Sequence, residues 1–372
     1  MKFNIEKNTI SKSLSHVQSI VEKKNTLPIL SNILLEAKDN KLVLSATDMD
    51  ISITDKINCN IIEEGSTTVS AHTLYDIIRK LPDNSEIEII CNDGKIMTLR
   101  AGKSKFSLGC LPKDDFPLIE VGDLENELTI NASQLLKLIN KTRFAISNEE
   151  TRYFLNGIYF HSKKQGNDNF LSLVATDGHR LAKFDYIEKD KKIDELPGII
   201  IPKKTVNELF KILVDYEGDI NINLDSNKIV FFVGNSILIS KLIDGSFPDY
   251  NRVIPSDNNN LLKINRHEFS LAVDRVSTIT SEKSPVIKFT LLENIMNMSS
   301  VNSESGTATE DITTKYSGNK LEVGFNSKYI LEMINNLEDE EIILNFKDSS
   351  SPVTAIEESN PGLIYVLMPM RV

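Results

Sequence analysis

An α+β fold of three repeated domains is what the sequence predicts, and three observations predict it. Short motifs recur about 130 residues apart, helical windows recur on the same spacing, and β-branched runs fill the intervals. KLVLSATDMDISI (41–53) is echoed by FLSLVATDGHRLAKF (170–184), with the ATD triplets offset by 129. FSLGCLPKDDFP (106–117) is echoed by ILISKLIDGSFP (237–248), with the Phe-Pro pairs offset by 131. The chain ends on a further apolar-Pro pair in LMPMRV (367–372). One large α+β enzyme with accidental echoes is the alternative, and three matched features on one spacing disfavour it.

Taken in order, each third reads strand, helix, strands, helix, strands. The first helix of each third is predicted in SKSLSHVQSIVEK (11–23), ASQLLKLINKTRFAI (132–146) and RHEFSLAVDRVSTI (266–279). The second lies in HTLYDIIRKL (72–81), KKTVNELFKIL (203–213) and NSKYILEMINNL (326–337). All place apolar residues three and four apart, the period that puts them on one helix face. Asn131, Asn265 and Asn326 stand where a cap belongs, their side chains able to accept from the first free backbone N–H groups. Between the helices lie NILLEA (32–37), ISITDKI (51–57), EIEIICN (86–92), KIMTLRA (95–101), ININ (220–223), KIVFFVG (228–234) and EIILNF (341–346). Turn-forming runs such as NDG (92–94), LDSN (224–227) and YSGN (316–319) separate them. The polar run SDNNN (256–260) marks one boundary, and the domains are expected at 1–125, 126–257 and 258–372.

Composition bounds the class. With 372 residues, 40% of them apolar and 26% charged, each third is large enough to bury a core. No apolar run approaches the length of a membrane helix, and the polar start MKFNIEKN lacks a secretion signal, so a cytoplasmic protein away from membranes is expected. Cys59, Cys91 and Cys110 are odd in number and widely spaced, which supports neither a disulfide framework nor a metal site.

The net charge of −11 argues, as an average, against wrapping nucleic acid. The average hides a segregation. Counted over 7–24, 72–81, 132–144, 203–212, 266–283 and 327–337, the helices and their flanks carry 16 bases against 7 acids, and the rest of the chain 26 against 46. Ordinary solvated helix lysines account for this as well as a phosphate-facing surface does. No aromatic platform, arginine-rich arm or base-reading helix accompanies the bases, so any nucleic acid would be held by its backbone without reading sequence.

A search for catalytic chemistry returns little. His16, His72, His161, His179 and His267 form no metal-binding spacing, and no phosphate-cradling or nucleophile-elbow motif occurs. Asp177 and His179, in TDGHR (176–180), could act as an oriented base, but Gly178 between them favours a strand closed by a turn. Asp114-Asp115 and Glu149-Glu150 sit in polar stretches where solvation explains them. No catalytic residue, cofactor or metal is expected. At the C-terminus, Met368 and Met370 flank Pro369 before Arg371. Two thioethers there fit core filling and an adaptable apolar groove equally well.

Eight stretches, in order along the chain, resemble the bacterial sliding clamp family, the beta subunits of DNA polymerase III. They are TLPILSNILLE (26–36), SATDMDI (45–51), FSLGCLPKDDFP (106–117), RYFLNGIYF (152–160), VATDGHRLA (174–182), SFPDYNRVIP (246–255), GFNSKYI (324–330) and YVLMPMR (365–371). The resemblance spans essentially the whole chain. It implies three clamp-type domains per chain, each with two inner helices and outer antiparallel β-sheets, and two chains joined head to tail in a six-domain ring. Double-stranded DNA would pass through the ring, and the protein would confer processivity without catalysing any reaction.

The resemblance also implies site residues. A groove for partner peptides would include Leu155, Thr176, Gly178, His179, Arg180 and Leu181, with Pro248, Arg252 and Val253, and from the C-terminal segment Val366, Leu367, Met368, Pro369, Met370, Arg371 and Val372. Its users would be the polymerase III catalytic subunit, the clamp loader, other DNA polymerases, mismatch-repair proteins and ligase. DNA contacts would fall on Lys24, Arg152, Tyr153 and Phe154; Lys203 and Lys204 are added on composition. Lys24 stands where the family often has Arg, Phe154 where Tyr is frequent, and Glu149 where a neutral Gln occurs. The homodimer joint would set Lys103, Lys105, Phe106 and Leu108 against Thr278, Ile279 and acids such as Glu304. Two other classes remain as competitors: an enzyme using Asp177 and His179, and an acidic peptide-binding scaffold that never holds DNA.

Overall fold

The computed structural model describes residues 1–23, 26–165, 168–187, 196–281 and 285–372. Among them are six α-helices: α1 (Lys7–Ile20), α2 (Ala71–Lys80), α3 (Ala132–Thr142), α4 (Lys203–Val214), α5 (Arg266–Ser277) and α6 (Ser327–Asn335). Each begins directly after a strand: Lys2–Glu6, Gly65–Ser70, Asn126–Asn131, Ile199–Pro202, Asn260–Asn265 and Leu321–Asn326, respectively. One strand-to-helix joint is thus used twice in every third.

The joints are held by the short polar residues at strand ends. Asn131 Oδ1 accepts from Ser133 N at 3.1 Å, Asn265 Oδ1 from Glu268 N at 3.0 Å and Asn326 Oδ1 from Lys328 N at 3.0 Å. Two helices depart from the expected bounds. α1 starts at Lys7, earlier than expected, and the residue at its N-cap position, Glu6, makes no side-chain capping bond. α3 ends at Thr142, whose hydroxyl donates to the Leu138 carbonyl at 2.8 Å; that back-bond and the β-branch end the regular helix, and residues 143–145 tighten into a 3₁₀ turn.

The chain divides into two compact units. The first holds residues 1–136 and 204–242, the second 137–203 and 243–372. In the first, a thirteen-stranded sheet of described residues joins the first two thirds edge to edge. Strand Ile51–Asn58 pairs antiparallel with Ser236–Lys241, setting Ser52 opposite Ile239 and Asp55 opposite Ser236. α1 packs on this sheet and on α2, with Ile10, Leu14, Val17 and Ile20 fully buried at helical spacing.

In the second unit a nine-stranded sheet crosses between thirds in the same way. Strand Arg180–Ile187 pairs antiparallel with Leu363–Leu367, with Arg180 opposite Leu367 and Leu181 opposite Val366. A separate four-stranded sheet packs against α5, and Phe269, Phe289 and Phe325 meet there with ring centroids 5.4–5.7 Å apart. No described helix is long and apolar enough to cross a membrane.

Candidate functional site

The second unit carries an apolar groove of about 310 Å³. Its position follows from the strand pair just described. Leu181 and Val366 lie side by side and bury with Val174 and Tyr250 in one cluster, on which Phe247 and Ile254 pack. Phe154, Leu155, Pro248, Val253 and Met368 complete the apolar wall. Val253 and Met368 are exposed at its mouth, 44% and 41% accessible, so adaptable apolar surface meets water there.

The polar end of the groove is the 176–180 turn. Gly178 adopts φ +87°, where a side chain is strained, and a Cβ there would also strike the Arg152 guanidinium. Thr176 Oγ1 accepts from Gly178 N at 3.1 Å and donates to the Arg180 carbonyl at 2.6 Å. Asp177 accepts from the backbone N–H groups of His179 and Arg180 at 2.9 and 3.0 Å and from Arg180 Nε at 3.1 Å. Every oxygen a catalytic Asp177 would need is thus committed to closing the turn. His179 is exposed and stacks over Tyr329 at 6.2 Å. No base-and-orienter pair forms.

Arg180 anchors the turn from beneath. Its guanidinium bonds Glu332 and the Phe144 carbonyl (2.8 Å) and lies over the Tyr329 ring at 4.4 Å. Burial raises the Tyr329 phenol above its ordinary value, with Asp177 adding to the effect. Arg152 spans the rim, donating from Nε to Glu149 at 2.8 Å and from Nη2 to the Asp177 carbonyl at 3.1 Å. The C-terminal segment is pinned along the opposite side: Met368 N donates to the His179 carbonyl (2.9 Å) and Met370 N to the Gly324 carbonyl (2.8 Å).

Of the residues the resemblance assigns to the groove, Leu155, Thr176, Gly178, Arg180, Leu181, Pro248, Val253, Val366 and Met368 line it. His179 joins through its carbonyl. Leu367 is buried; Pro369, Met370, Arg371 and Val372 continue beyond the lining. Arg252 is exposed and paired with Asp249 at 3.0 Å. Arg152 and Phe154, placed on DNA by resemblance, stand in the groove wall, while Tyr153 between them is exposed. Sequence reasoning missed Asp249 and Tyr250 as lining residues, although both lie inside SFPDYNRVIP (246–255), one of the stretches that carry the resemblance.

Lys24 lies outside the described residues. Lys203 Nζ donates to the neutral Asn148 side chain at 2.6 Å, whereas Lys204 is paired with Asp48 and Glu22. The helical base count also included Lys141, which is buried against Glu357 (3.3 Å) and Glu338 (3.0 Å) and faces no solvent.

Two strands bear on the expected dimer joint. Ser104–Leu111 pairs along its length with Ile96–Ala101, but on its other side only Cys110 and Leu111 are paired. Lys103 and Lys105 are exposed there, with Phe106 and Leu108 half-buried. Among the described residues, Gly306–Thr313 pairs with Ile295–Asn302 alone. Glu304 precedes it in the turn and Thr278 is exposed at the end of α5, followed by half-buried Ile279. Glu310, another candidate acid, is already bound by Arg275 within the chain. No group of three or more metal-ligating side chains occurs among the described residues.

Comparison with known proteins gives three family models in succession. The DNA polymerase III beta subunit N-terminal domain matches residues 1–120, its central domain 129–249 and its C-terminal domain 251–371. The beta sliding clamp of Caulobacter vibrioides is 41% identical, and that of Pseudomonas aeruginosa 34%, each covering 100% of both chains. The crystal structure of a Bartonella birtlesii sliding clamp bound to griselimycin matches with a TM-score of 0.96 at 43% identity, again over 100% of both chains. Matched domain by domain and over its full length, this chain belongs to the family of bacterial sliding clamps, the beta subunits of DNA polymerase III.

Proposed function

We propose that two copies of this chain close head to tail into a six-domain ring around double-stranded DNA, and that the groove of the second unit takes the peptides of its partners. Family membership makes the chain a non-catalytic DNA sliding clamp for the replicative polymerase. Its three clamp domains of helices and antiparallel sheets are bounded near residues 125 and 257. The ring would join the half-open edge Ser104–Leu111 of one protomer to the edge Gly306–Thr313 of the next, since an unpaired strand edge offers a row of main-chain donors and acceptors. Phe106 and Leu108 would pack on Thr278 and Ile279, with Lys103 and Lys105 near Glu304. Ion pairs at such a rim contribute little each, so the main-chain bonds and apolar pairs must hold the joint.

Encirclement explains how an acidic protein works on DNA. Retention is topological, so weak, sequence-independent phosphate contacts from the bases Lys24, Lys203 and Lys204 and the 152–154 segment suffice; tight contacts would hinder sliding. A polymerase held on the ring stays at high effective concentration near the primer end. The clamp loader, other DNA polymerases, mismatch-repair proteins and ligase would use the same groove in turn. The cytoplasm is the compartment this work requires.

The observation that carries the groove reading is the apolar wall that Val253 and Met368 hold open to solvent beside a turn whose polar groups are internally satisfied. An extended peptide would place Leu and Phe side chains against that wall. Deleting residues 368–372 should abolish binding of such a peptide and leave a dimer near twice 41.8 kDa. Unchanged peptide affinity would move the site elsewhere. For the ring, loaded clamp should persist on closed circular DNA and be lost once the circle is cut. Equal loss from both would reject sliding by encirclement.

A further inference from the structure

Behind the groove wall lies a buried polar layer that neither the groove nor the turn uses. Tyr250 is 6% accessible and lines the groove, in the short Tyr250–Arg252 turn. Its hydroxyl sits 3.1 Å from His161 Nε2, and His161 Nδ1 sits 3.0 Å from the Ser162 carbonyl oxygen. A carbonyl can only accept, so Nδ1 carries the proton. In the neutral ring Nε2 is then an acceptor, and the Tyr250 hydroxyl must donate to it. The tautomer and the direction of the bond that ties Tyr250 are both fixed by this chain of partners. Tyr159 packs at 4.5 Å from the imidazole and stacks flat on Phe247 at 4.9 Å, so the same layer supports a second residue under the groove.

The charged surroundings disfavour a second proton on His161. Its own strand supplies Lys163 and Tyr159; the strands alongside supply Ser172, Lys183 and Asp185. The Asp185 carboxylate is already taken by Lys163 and Lys183, each at 2.6 Å, and by the Ser172 hydroxyl. An imidazolium would face two ammonium groups and one shared carboxylate. Burial pushes His161 below its ordinary value, and the two lysines add to that while Asp185 and the Ser162 carbonyl oppose it. Burial also raises the Tyr250 phenol, which keeps it a donor.

We propose, building on the groove assignment above, that His161 is a positioning residue of the peptide groove: it holds Tyr250 from behind, and a second proton on its ring loosens the wall and weakens peptide binding. Protonated Nε2 becomes a donor, so the Tyr250 hydroxyl must reverse and find another acceptor in a buried site. The charged ring draws water in or swings out, because an imidazolium without a counter-ion is costly to bury. A bound peptide seals the wall further and raises that cost. By linkage the free protein then takes up the proton more readily than the complex, and affinity falls as the pH falls.

The test uses the full-length protein and a rhodamine-labelled peptide with Leu and Phe side chains and no titratable ones, followed by fluorescence polarisation from pH 7.5 to 5.5. Wild type should weaken by roughly five-fold across that range. His161→Gln, whose amide can accept from Tyr250 and does not titrate, should still bind measurably at pH 7.5 and show no change in affinity down to pH 5.5. His179→Gln removes the exposed histidine of the 176–180 turn and should keep the wild-type slope. Equal slopes in wild type and His161→Gln, with binding intact at pH 7.5, overturn the role of His161 and leave the groove standing. No binding by folded wild type at any pH overturns the groove assignment and this proposal with it. Should His161→Gln fold poorly, NMR titration of the wild-type His161 ring decides: peptide must move its protonation to lower pH, and an unmoved titration overturns the proposal.

Discussion

Asp185 shows at the scale of one residue how a buried charge is kept. Burial opposes its ionisation, yet Lys163, Lys183 and Ser172 all bond it and together hold the carboxyl below the usual carboxylate range. A carboxyl depressed in this way stabilises the fold fully above its unfolded value, near 3.9, and loses that contribution as pH falls through the folded one. Asp185→Asn should therefore be less stable at pH 7, by about 3 kcal/mol, because it leaves two ammonium groups beside an uncharged amide. The gap to wild type should narrow between about pH 5 and pH 3, and urea unfolding at both ends of that range checks it. A constant gap would mean that the carboxylate is not the lysines' partner. Sequence reasoning did not find this cluster. Lys163 and Lys183 lie on separate strands, and only the pairing of those strands with a third brings them to one carboxylate. Lys141 failed in the opposite sense: it counts as a helical base, but its partners Glu338 and Glu357 lie some 200 residues on and bury it.

The elements themselves were legible where periodicity and caps are local signals. Asn131, Asn265 and Asn326 open helices as expected, and each of the six helical windows overlaps one helix. The sheet joints were not legible. Nothing local in ISITDKI says that it pairs with Ser236–Lys241 of the next third, since both are alternating strands with several acceptable neighbours. The edge proposed for the dimer joint follows the same logic. Ser104–Leu111 alternates exposed and half-buried residues along a strand whose outer side is unpaired from Ser104 to Gly109. A natural strand with such an edge is covered, short or charged; this one carries Lys103 and Lys105 but also presents Phe106 and Leu108. If a second protomer covers it, Leu108→Asp puts a charge into the joint with no cation opposite it among Thr278 and Ile279. The expected outcome is a shift towards a 41.8 kDa monomer at micromolar concentration, read by light scattering, with thermal unfolding of the monomer little changed. A mutant as dimeric as wild type would place the joint elsewhere.

For the whole molecule, the question is how many of the helical bases are free to meet phosphate in a chain of net charge −11. The structure answers unevenly. Lys7 is bound by Asp83, Lys141 by Glu357, Lys211 by Glu208 and Arg275 by Glu310, so their charges are offset within the fold. Lys204 shares this fate with Asp48 and Glu22, while among the described residues its neighbour Lys203 meets only the neutral Asn148 amide. A phosphate gains an unopposed ammonium at Lys203 but must displace a carboxylate at Lys204. On linear duplex, where no topology holds the ring, each phosphate neutralised by a protein cation adds about 0.9 to the magnitude of the slope of log affinity against log salt. Lys203→Ala should therefore lower the magnitude of that slope by close to one unit, and Lys204→Ala by distinctly less. Equal effects would mean that DNA strips Lys204 from Asp48, and the helical bases would then act as one field. On a closed circle neither mutation should change retention much, because a threaded ring needs only to repel the duplex less than it confines it. The contrast between the two substrates separates attraction from encirclement, two contributions that an acidic chain with a few free lysines must combine.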